Sequence, residues 1–546
     1  MKIHPPADRW DRETTLVSQI TASAALLAFL FYFRRGDLLL YGDAVAHINI
    51  ARRVIDSYTP GLLQLGTVWL PLPHLLMIPF LFSDAAWQSG IAGSLPSMCA
   101  YVLSTAGVFR LVRGALRTQS QPESWARAAA WFAAAVYAAN PNLLYLQTTA
   151  MTEPLYLALF IWTAVHFAEF TQARSGPDAV GTRRSLRNCG LCLLGACLTR
   201  YDGWLLAFAI CMAVLFLILK SKQKPAALSH GFGKLILLAA AAPTLWLGYN
   251  AIVYRNPLEF ANGPYSARAI EQKSTATAHP GSRDVPVALA YFLKSAELNI
   301  AEGNWGRLWV ALLLIGTLVI LISYRQLWPL LFLWIPVPFY MLSIAYGGVP
   351  IYLPVWWPFS FYNTRYGLEL LPAFSVFVAV AAYALFAAFR GRAARIVLGL
   401  AIGVVAVGSY VSVWRAQPIC YREAWINSRT RISFETQMAS TLTELPHDSD
   451  LIMYLGDHVG ALQRAGIPLH RVINEGNHRP WRKPSDTEGL WERALADPKQ
   501  YADYVIAIEN DPVATQVQKH DLTSVVVIHT IGQPPATIYW THRPQR

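Results

Sequence analysis

Long apolar runs, separated by short polar connections, occupy most of this chain. A membrane-crossing helix needs about 20 predominantly apolar residues. Eleven runs are candidates: Leu16–Phe33, Gly90–Phe109, Ala128–Tyr145, Pro154–Phe170, Cys189–Leu198, Trp204–Leu219, Leu235–Tyr254, Leu308–Ser323, Leu327–Tyr346, Leu370–Phe389 and Ile396–Trp414. The fifth is short and ends at a charged turn. A further apolar stretch, Val68–Phe82, is interrupted by Pro71, Pro73 and His74, and reads as a re-entrant or interfacial segment. From Arg415 onward the pattern changes. Leu451–Leu455, Tyr504–Ile508 and Ser524–Ile528 read as short strands, and Ala536–Trp540 as a partner of the last. Helical stretches alternate with them, one of them running to Arg464. The expectation is a mainly α polytopic membrane protein over 1–414, with about eleven transmembrane helices, followed by a small extracytoplasmic α/β domain over 415–546.

The polar connections carry a topology signal. Lys2, Arg9 and Arg12 precede the first run. Arg110, Arg113, Arg117 and Arg127 follow the second, and Arg174, Arg183, Arg184 and Arg187 follow the fourth. Lys220, Lys222, Lys224 and Lys234, then Arg325, then Arg390, Arg392 and Arg395 continue the series. Basic connections favour the cytoplasmic side. The N-terminus is therefore expected in the cytoplasm, the tail outside, and the whole chain as a multi-pass protein of the cell (inner) membrane. The first run lacks a convincing cleavage site and reads as an anchor. Three outer connections are long: Arg34–Ser89, Arg255–Arg307 and Gly347–Glu369. Loops of that length are usually functional or disordered.

Composition narrows the class. The 546 residues are 54% hydrophobic and only 14% charged, against roughly 25% charged in soluble proteins. That argues against a soluble enzyme and against a disordered chain. The net charge of +12 raises the question of nucleic acid. From Arg415 onward there are 14 Lys and Arg against 15 Asp and Glu, and in 1–414 there are 31 against 18. The excess lies in the apolar part, where it reflects topology and lipid headgroups, and no nucleic acid partner is expected. Of six cysteines, five lie in apolar runs and read as small apolar filler. No phosphate-cradling glycine motif marks the tail. Asp457, His458, His478 and Trp481 there read as contacts of the fold.

Ionisable residues at membrane depth are candidate functional groups. Four outer connections carry them. Asp43 and His47 follow the first run, four residues apart, with Arg52 and Arg53 further along the same amphipathic helix; the alternative for Asp43 is a helix cap. Glu153 lies in Thr148–Pro154, at the start of the fourth run, where a carboxylate also suits the helix dipole. Arg200, Tyr201 and Asp202 lie between the fifth and sixth runs, with an internal Arg200–Asp202 pair as the plain alternative. Arg365 and Tyr366 follow the aromatic run Trp356–Phe359; interfacial anchoring by those rings is the competing reading. Together they put two carboxylates and two arginines at one membrane face. A carboxylate can take a proton from an acceptor hydroxyl or amine, and guanidiniums can stabilise charge on a departing phosphate.

Order and placement resemble the GT-C type glycosyltransferases, polytopic enzymes that use polyprenyl-phosphate sugars and include the protein O-mannosyltransferases and the lipid A aminoarabinose transferase. Gly42-Asp43 with His47 resembles their first-loop acidic motif. Leu70-Pro71-Leu72-Pro73-His74 resembles the proline-rich stretch before their second span, and Ser94-Leu95-Pro96-Ser97 the start of that span. Thr152-Glu153 falls at their second acidic position. Leu198-Thr199-Arg200-Tyr201 falls at a basic turn, and Asn363-Thr364-Arg365-Tyr366 resembles an Arg-Tyr motif. The resemblance covers roughly residues 10–415.

It implies a membrane glycosyltransferase, of inverting type, that moves a sugar from a polyprenyl-phosphate donor to a glycan, lipid or protein acceptor outside the membrane. Asp43 would be the base, with Glu153 supporting it. Arg200 and Arg365 would bind the carrier phosphate, with Tyr366 packing nearby and His47, His74, Tyr201 and Asp202 contributing to substrate binding. His74 stands where some relatives carry a Lys. The first loop lacks the Asp-Glu pair of the protein mannosyltransferases. Asn256–Tyr265 resembles a run in some relatives, which would turn Tyr265 toward the acceptor, with a plain loop as the competing and favoured reading; the following segment, with Thr275–Pro280, is expected to order as a lid when the donor binds. No cofactor is required by the sequence, although Asp43, Glu153 and His47 are compatible with a divalent cation. Membrane lipids are the remaining partner. The competing reading is a transporter or flippase for a lipid-linked glycan, which calls for internal repeats and mid-membrane polar residues. A third, an envelope scaffold, leaves the two outer arginines unexplained.

Overall fold

The computed structural model describes residues 10–174, 179–220, 226–274, 279–456, 458–478 and 487–543. Among them, nine helical stretches are long and apolar enough to cross a membrane. Helix α1 is Arg12–Arg34 and α2 is the short amphipathic Gly42–Arg53 that follows it outside the bundle. The next long helices are α3 (Ile91–Leu116), α4 (Glu153–Ala173), α5 (Asp202–Leu219) and α6 (Ala226–Tyr254). Helix α7 is Val285–Ile300, and α8 (Asn304–Ile322), α9 (Leu371–Ala388) and α10 (Arg392–Ala416) complete the apolar set with the broken span Arg325–Tyr346.

Two of the expected eleven runs differ from simple spans, for visible reasons. Ala128–Tyr145 is not one helix. It is Glu123–Ala138 and then Pro141–Leu146, because Asn140 closes one helix and caps the next, its side chain accepting from Asn142 and Leu143 N–H. Cys189–Leu198 is the apolar end of a longer helix, Ala179–Cys197, whose first half carries Arg183, Arg184 and Arg187. Val68–Phe82 forms only a six-residue helix, Leu72–Met77, and one further turn, Ile78–Phe80. That is far short of the 30 Å a bilayer core requires.

After α10, Gln417 and Pro418 turn the chain into α11 (Ile419–Thr443), which packs beside Pro141–Leu146 and Thr364–Leu370 at one end of the bundle. The sheet begins only at Leu451. Its strands are β1 (Leu451–Met453), β2 (Val472–Ile473), β3 (Tyr504–Ile508), β4 (Thr523–Ile528) and β5 (Ala536–Trp540), in the order β2-β1-β3-β5-β4. β1 lies parallel to β2 and β3, whereas β5 runs antiparallel between β3 and β4. Ile452, Ile473, Val505, Val513 and Trp491 form a small core on one face. The fold is thus a membrane helix bundle with a small C-terminal α/β unit.

Polar contacts fasten that unit to the loop that follows α1. Asn49 donates to Gln463 Oε1 at 2.8 Å, and Gln463 donates to the Trp87 carbonyl at 2.6 Å. Asp56 accepts from Arg52 at 2.8 Å and pairs with His470 at 2.6 Å. These bonds hold α2 between bundle and tail, and α2 carries the first candidate residue.

Candidate active site

Each functional side chain is set by a local device. The turn before α2 is held from the tail: Arg431 of α11 donates to the carbonyls of Leu39 and Leu40, both at 2.9 Å. Asp43 then falls in the first turn of α2. It is no cap, for Tyr41 holds the N-cap position and no side chain bonds the first turn. Glu153 opens α4. Its turn lies against α3 because Gly93 has no side chain; a Cβ there would sit 2.3 Å from Ala150 Cβ. Ser94 seals this contact with a bond to the Thr148 carbonyl at 2.5 Å. Arg365 lies on the 3-10 turn Thr364–Leu370, which approaches α7 where Gly367 leaves room, since a Cβ would stand 2.4 Å from the Ser295 carbonyl carbon. Ser295 and Asn299 both donate to the Thr364 carbonyl, at 2.8 and 2.7 Å.

Four separate connections thus meet at one place. Arg365 reaches three carboxylates with its three nitrogens: Asp43 at 2.5 Å, Glu153 at 3.0 Å and Glu423 at 3.1 Å. Arg200 shares Glu153 at 3.3 Å and also faces Asp202 at 3.3 Å and Glu369 at 3.6 Å. It donates further to Thr152 at 3.1 Å and to the Tyr340 hydroxyl at 2.6 Å. The Tyr366 ring lies between the two guanidiniums, 5.1 Å from Arg200 and 4.9 Å from Arg365. Tyr41 covers the other side of Arg365 at 5.2 Å.

The cluster therefore holds five carboxylates against two arginines. Its members differ sharply in access. The Asp43 side chain is 40% exposed, whereas those of Glu153, Asp202, Glu369 and Glu423 are 2% exposed or less. A substrate can reach Asp43 and none of the others. Both oxygens of Glu369 are buried and accept no hydrogen bond among the described residues. The arrangement offers one accessible carboxylate whose position is fixed by a bidentate-capable cation behind it.

The other sequence candidates sit apart from this pair. His47 is buried and faces His74 at 2.9 Å and the Trp69 ring at 4.7 Å. Burial, together with the charges of Arg365 and Arg200, pushes its pKa down to about 3, and burial holds His74 well below the usual range. Both are therefore neutral imidazoles at physiological pH. Tyr201 donates to the Val68 carbonyl at 2.9 Å, accepts from Trp246 at 3.2 Å and stacks on Phe260, so it ties the first loop to α6 and the second large loop. Tyr265 is half exposed and lies beside Tyr454 of the tail, away from the cluster. Asp43 and His47 face different partners, and among the described residues no group of three or more His, Cys, Asp or Glu is placed to hold a metal ion. Residues 275–278, Asp457 and Trp481 lie outside the described residues.

Three members of the cluster carry no signal in the sequence. Glu423 comes from beyond the apolar part, on a helix with no periodic signal toward the membrane. Glu369 borders a long apolar run, and its neighbour Arg200 lies far away in sequence. Tyr340 stands inside an apolar span and reads there as an ordinary aromatic.

No family model matches the chain, and no curated protein does. Solved structures do. ArnT from Cupriavidus metallidurans bound to undecaprenyl phosphate superposes with a TM-score of 0.58 at 12% identity, over 96% of this chain and 99% of that one. Its apo state gives 0.55 at 14% identity, over 98% and 100%. The oligosaccharyltransferase AglB from Archaeoglobus fulgidus gives 0.48 at 13% identity, over 91% and 69%. The chain has the GT-C fold of ArnT along nearly its whole length, including the C-terminal unit.

Proposed function

We propose that the protein is a membrane glycosyltransferase that moves a sugar from a polyprenyl-phosphate donor to an acceptor at the outer face of the membrane, with Asp43 as the base. The observation that carries this reading is the access pattern: of five clustered carboxylates, only Asp43 is open to a substrate, and Arg365 fixes its position. The GT-C fold shared with ArnT, a lipid A aminoarabinose transferase solved with undecaprenyl phosphate bound, supports the donor class.

The chemistry is a single displacement. Asp43 accepts the proton of the acceptor hydroxyl or amine as that atom bonds to the anomeric carbon. The bond from the anomeric carbon to the phosphate oxygen breaks, and the electron pair leaves with the polyprenyl phosphate. Attack opposite the leaving group inverts the anomeric centre. Arg365 holds Asp43 in place, and Glu153 and Glu423 fix Arg365 in turn. Neither arginine is free of carboxylates, so the reading assigns them to positioning the base.

The test is sugar transfer from a polyprenyl-phosphate donor by the purified protein in liposomes. The Asp43→Asn variant is expected to lose about 10²–10⁴ in rate, the usual range for a general base, while keeping its melting temperature. Unchanged turnover removes Asp43 as base. Movement of the lipid across the bilayer by the parent protein, without sugar transfer, favours a flippase instead.

A further inference from the structure

The far end of α2 holds a group that the transfer chemistry above does not use. Arg53 closes the helix beside Arg52, yet the two differ completely. Arg52 is bound to Asp56, Asp84 and the Leu81 carbonyl. Arg53 has no ion pair with any described carboxylate, and its Nε is shielded from solvent without an acceptor. A partly buried cation in that state is unfavourable and calls for an anion.

The surroundings are shaped for one. Gly476 of the tail lies against the guanidinium, since a Cβ at that position would be 3.4 Å from Arg53 Nη1 and 2.7 Å from Gln64 Oε1. Gln64 is 1% exposed, and its Oε1 accepts no hydrogen bond. Its amide nitrogen is occupied by Thr59 and by the Gly476 carbonyl. Tyr249, Tyr254 and Tyr265 lie within electrostatic reach of Arg53. Two carboxylates share these neighbours but are engaged elsewhere: Glu475 with the Leu455 N–H at 2.9 Å, and Glu259 with Asn256 at 2.9 Å.

We propose that Arg53 seats a phosphate-type oxyanion of the substrate, with the unpartnered Gln64 Oε1 accepting a hydroxyl of the same molecule. This rests on the transferase reading and deepens it. A guanidinium fork fits phosphate oxygens in a bidentate way. Tyr249 and Tyr254 end a membrane-crossing helix, at the depth where tyrosines mark the bilayer interface. A lipid-borne phosphate at that depth keeps its tail in the apolar core. The Arg200–Arg365 cluster is a poorer seat, because its carboxylates would repel the anion. Along α2, ten residues separate Asp43 from Arg53, or about 15 Å of helix axis. A sugar phosphate between them turns its anomeric carbon toward Asp43 and its phosphate toward Arg53.

The experiment is binding to the full-length protein in detergent, with undecaprenyl phosphate, uncharged undecaprenol and inorganic phosphate as probes. Arg53→Ala should weaken undecaprenyl phosphate at least about tenfold, or 1.4 kcal/mol, and leave undecaprenol unchanged, while Arg53→Lys should recover part of the loss. Gln64→Glu gives a second variant that keeps Arg53 but neutralises it, and should weaken the same probe. Loss confined to inorganic phosphate also supports the seat and assigns it to a soluble phosphate. Undiminished binding of both anions in Arg53→Ala and Gln64→Glu overturns it. None of these measurements needs sugar transfer. A protein that binds through Arg53 but transfers nothing would sink the transferase reading and leave the seat standing. One that transfers normally without Arg53 would do the reverse.

Discussion

The two ends of α2 handle charge in opposite ways. At its start, an exposed carboxylate is backed by a buried arginine that three acids share. At its end, a partly buried arginine pairs with no described carboxylate. The first end is built so that its charges satisfy one another, and stability and position come together there. The second leaves the Arg53 Nε without an acceptor among the described residues. In the first case mutation should be read in folding as well as activity, and in the second almost wholly in ligand binding.

The largest effect should come from removing the hub of the first end. Arg365→Ala strands Glu153 and Glu423, both buried, and breaking a buried pair in this way typically costs about 3–5 kcal/mol. The melting temperature in detergent should fall sharply. Arg365→Lys should rescue little, because one ammonium on a flexible stem cannot hold three carboxylates in the guanidinium's plane. A melting temperature unchanged in Arg365→Ala would mean that the cluster does not hold the bundle end together.

Next in size is the pH response of the His47–His74 pair, which lies between the two ends. The folded pKa of His47 is lowered to about 3 from 6.5. The unfolded chain therefore binds the extra proton over that window, and stability falls as pH drops below 6.5. His47 alone contributes a slope of about 1.4 kcal/mol per pH unit, and His74 adds to it in the same sense. Above pH 7 the contribution is complete and flat. The His47→Gln variant should show a shallower slope in melting temperature between pH 6.5 and 5. Equal slopes would show that the imidazole is solvated.

These contrasts explain what the sequence made legible. The apolar runs announced the bundle, since hydropathy reports the bilayer directly, and the turn to α/β character near Leu451 followed from alternating strand and helix signals. Asp43, Glu153, Arg200 and Arg365 stood out because each is a charge at an apolar boundary. The exact spans were less clear where Asn140 and Pro141 cut an apolar run in two, because hydropathy averages over a helix break. Glu423 was hidden because its partner, Arg365, is 58 residues away, and no local pattern encodes that pairing. The state of Arg53 was hidden for the converse reason. Arg52 and Arg53 are identical in sequence terms, and only the fold decides which one meets Asp56.

Asp43 sharpens the comparison from the active side. Its carboxylate is 40% exposed, so its pair with Arg365 is partly screened. The Asp43→Asn variant should shift stability by less than about 1 kcal/mol, while transfer falls by orders of magnitude. A large loss of stability would instead assign Asp43 to the scaffold of the cluster.

The smallest expected effect isolates the other end. Arg52→Ala removes a guanidinium bonded to Asp56, which is itself buried and anchors His470 of the tail; hydrogen bonds to charged groups are worth about 1.5–3 kcal/mol. Arg53→Ala, one residue on, removes a cation that no described carboxylate balances, so its cost should stay within about 0.5 kcal/mol. Melting curves of the two variants, taken without ligand, should therefore separate clearly. With undecaprenyl phosphate added, the parent should gain thermal stability, because a ligand that binds only the folded state raises it. Arg53→Ala should lose that gain, whereas Arg52→Ala, starting lower, should keep it. The neighbouring arginines would then divide cleanly, one holding the tail to the loop and the other waiting for substrate. Equal ligand shifts in both variants would erase that division and, with it, the asymmetry of α2.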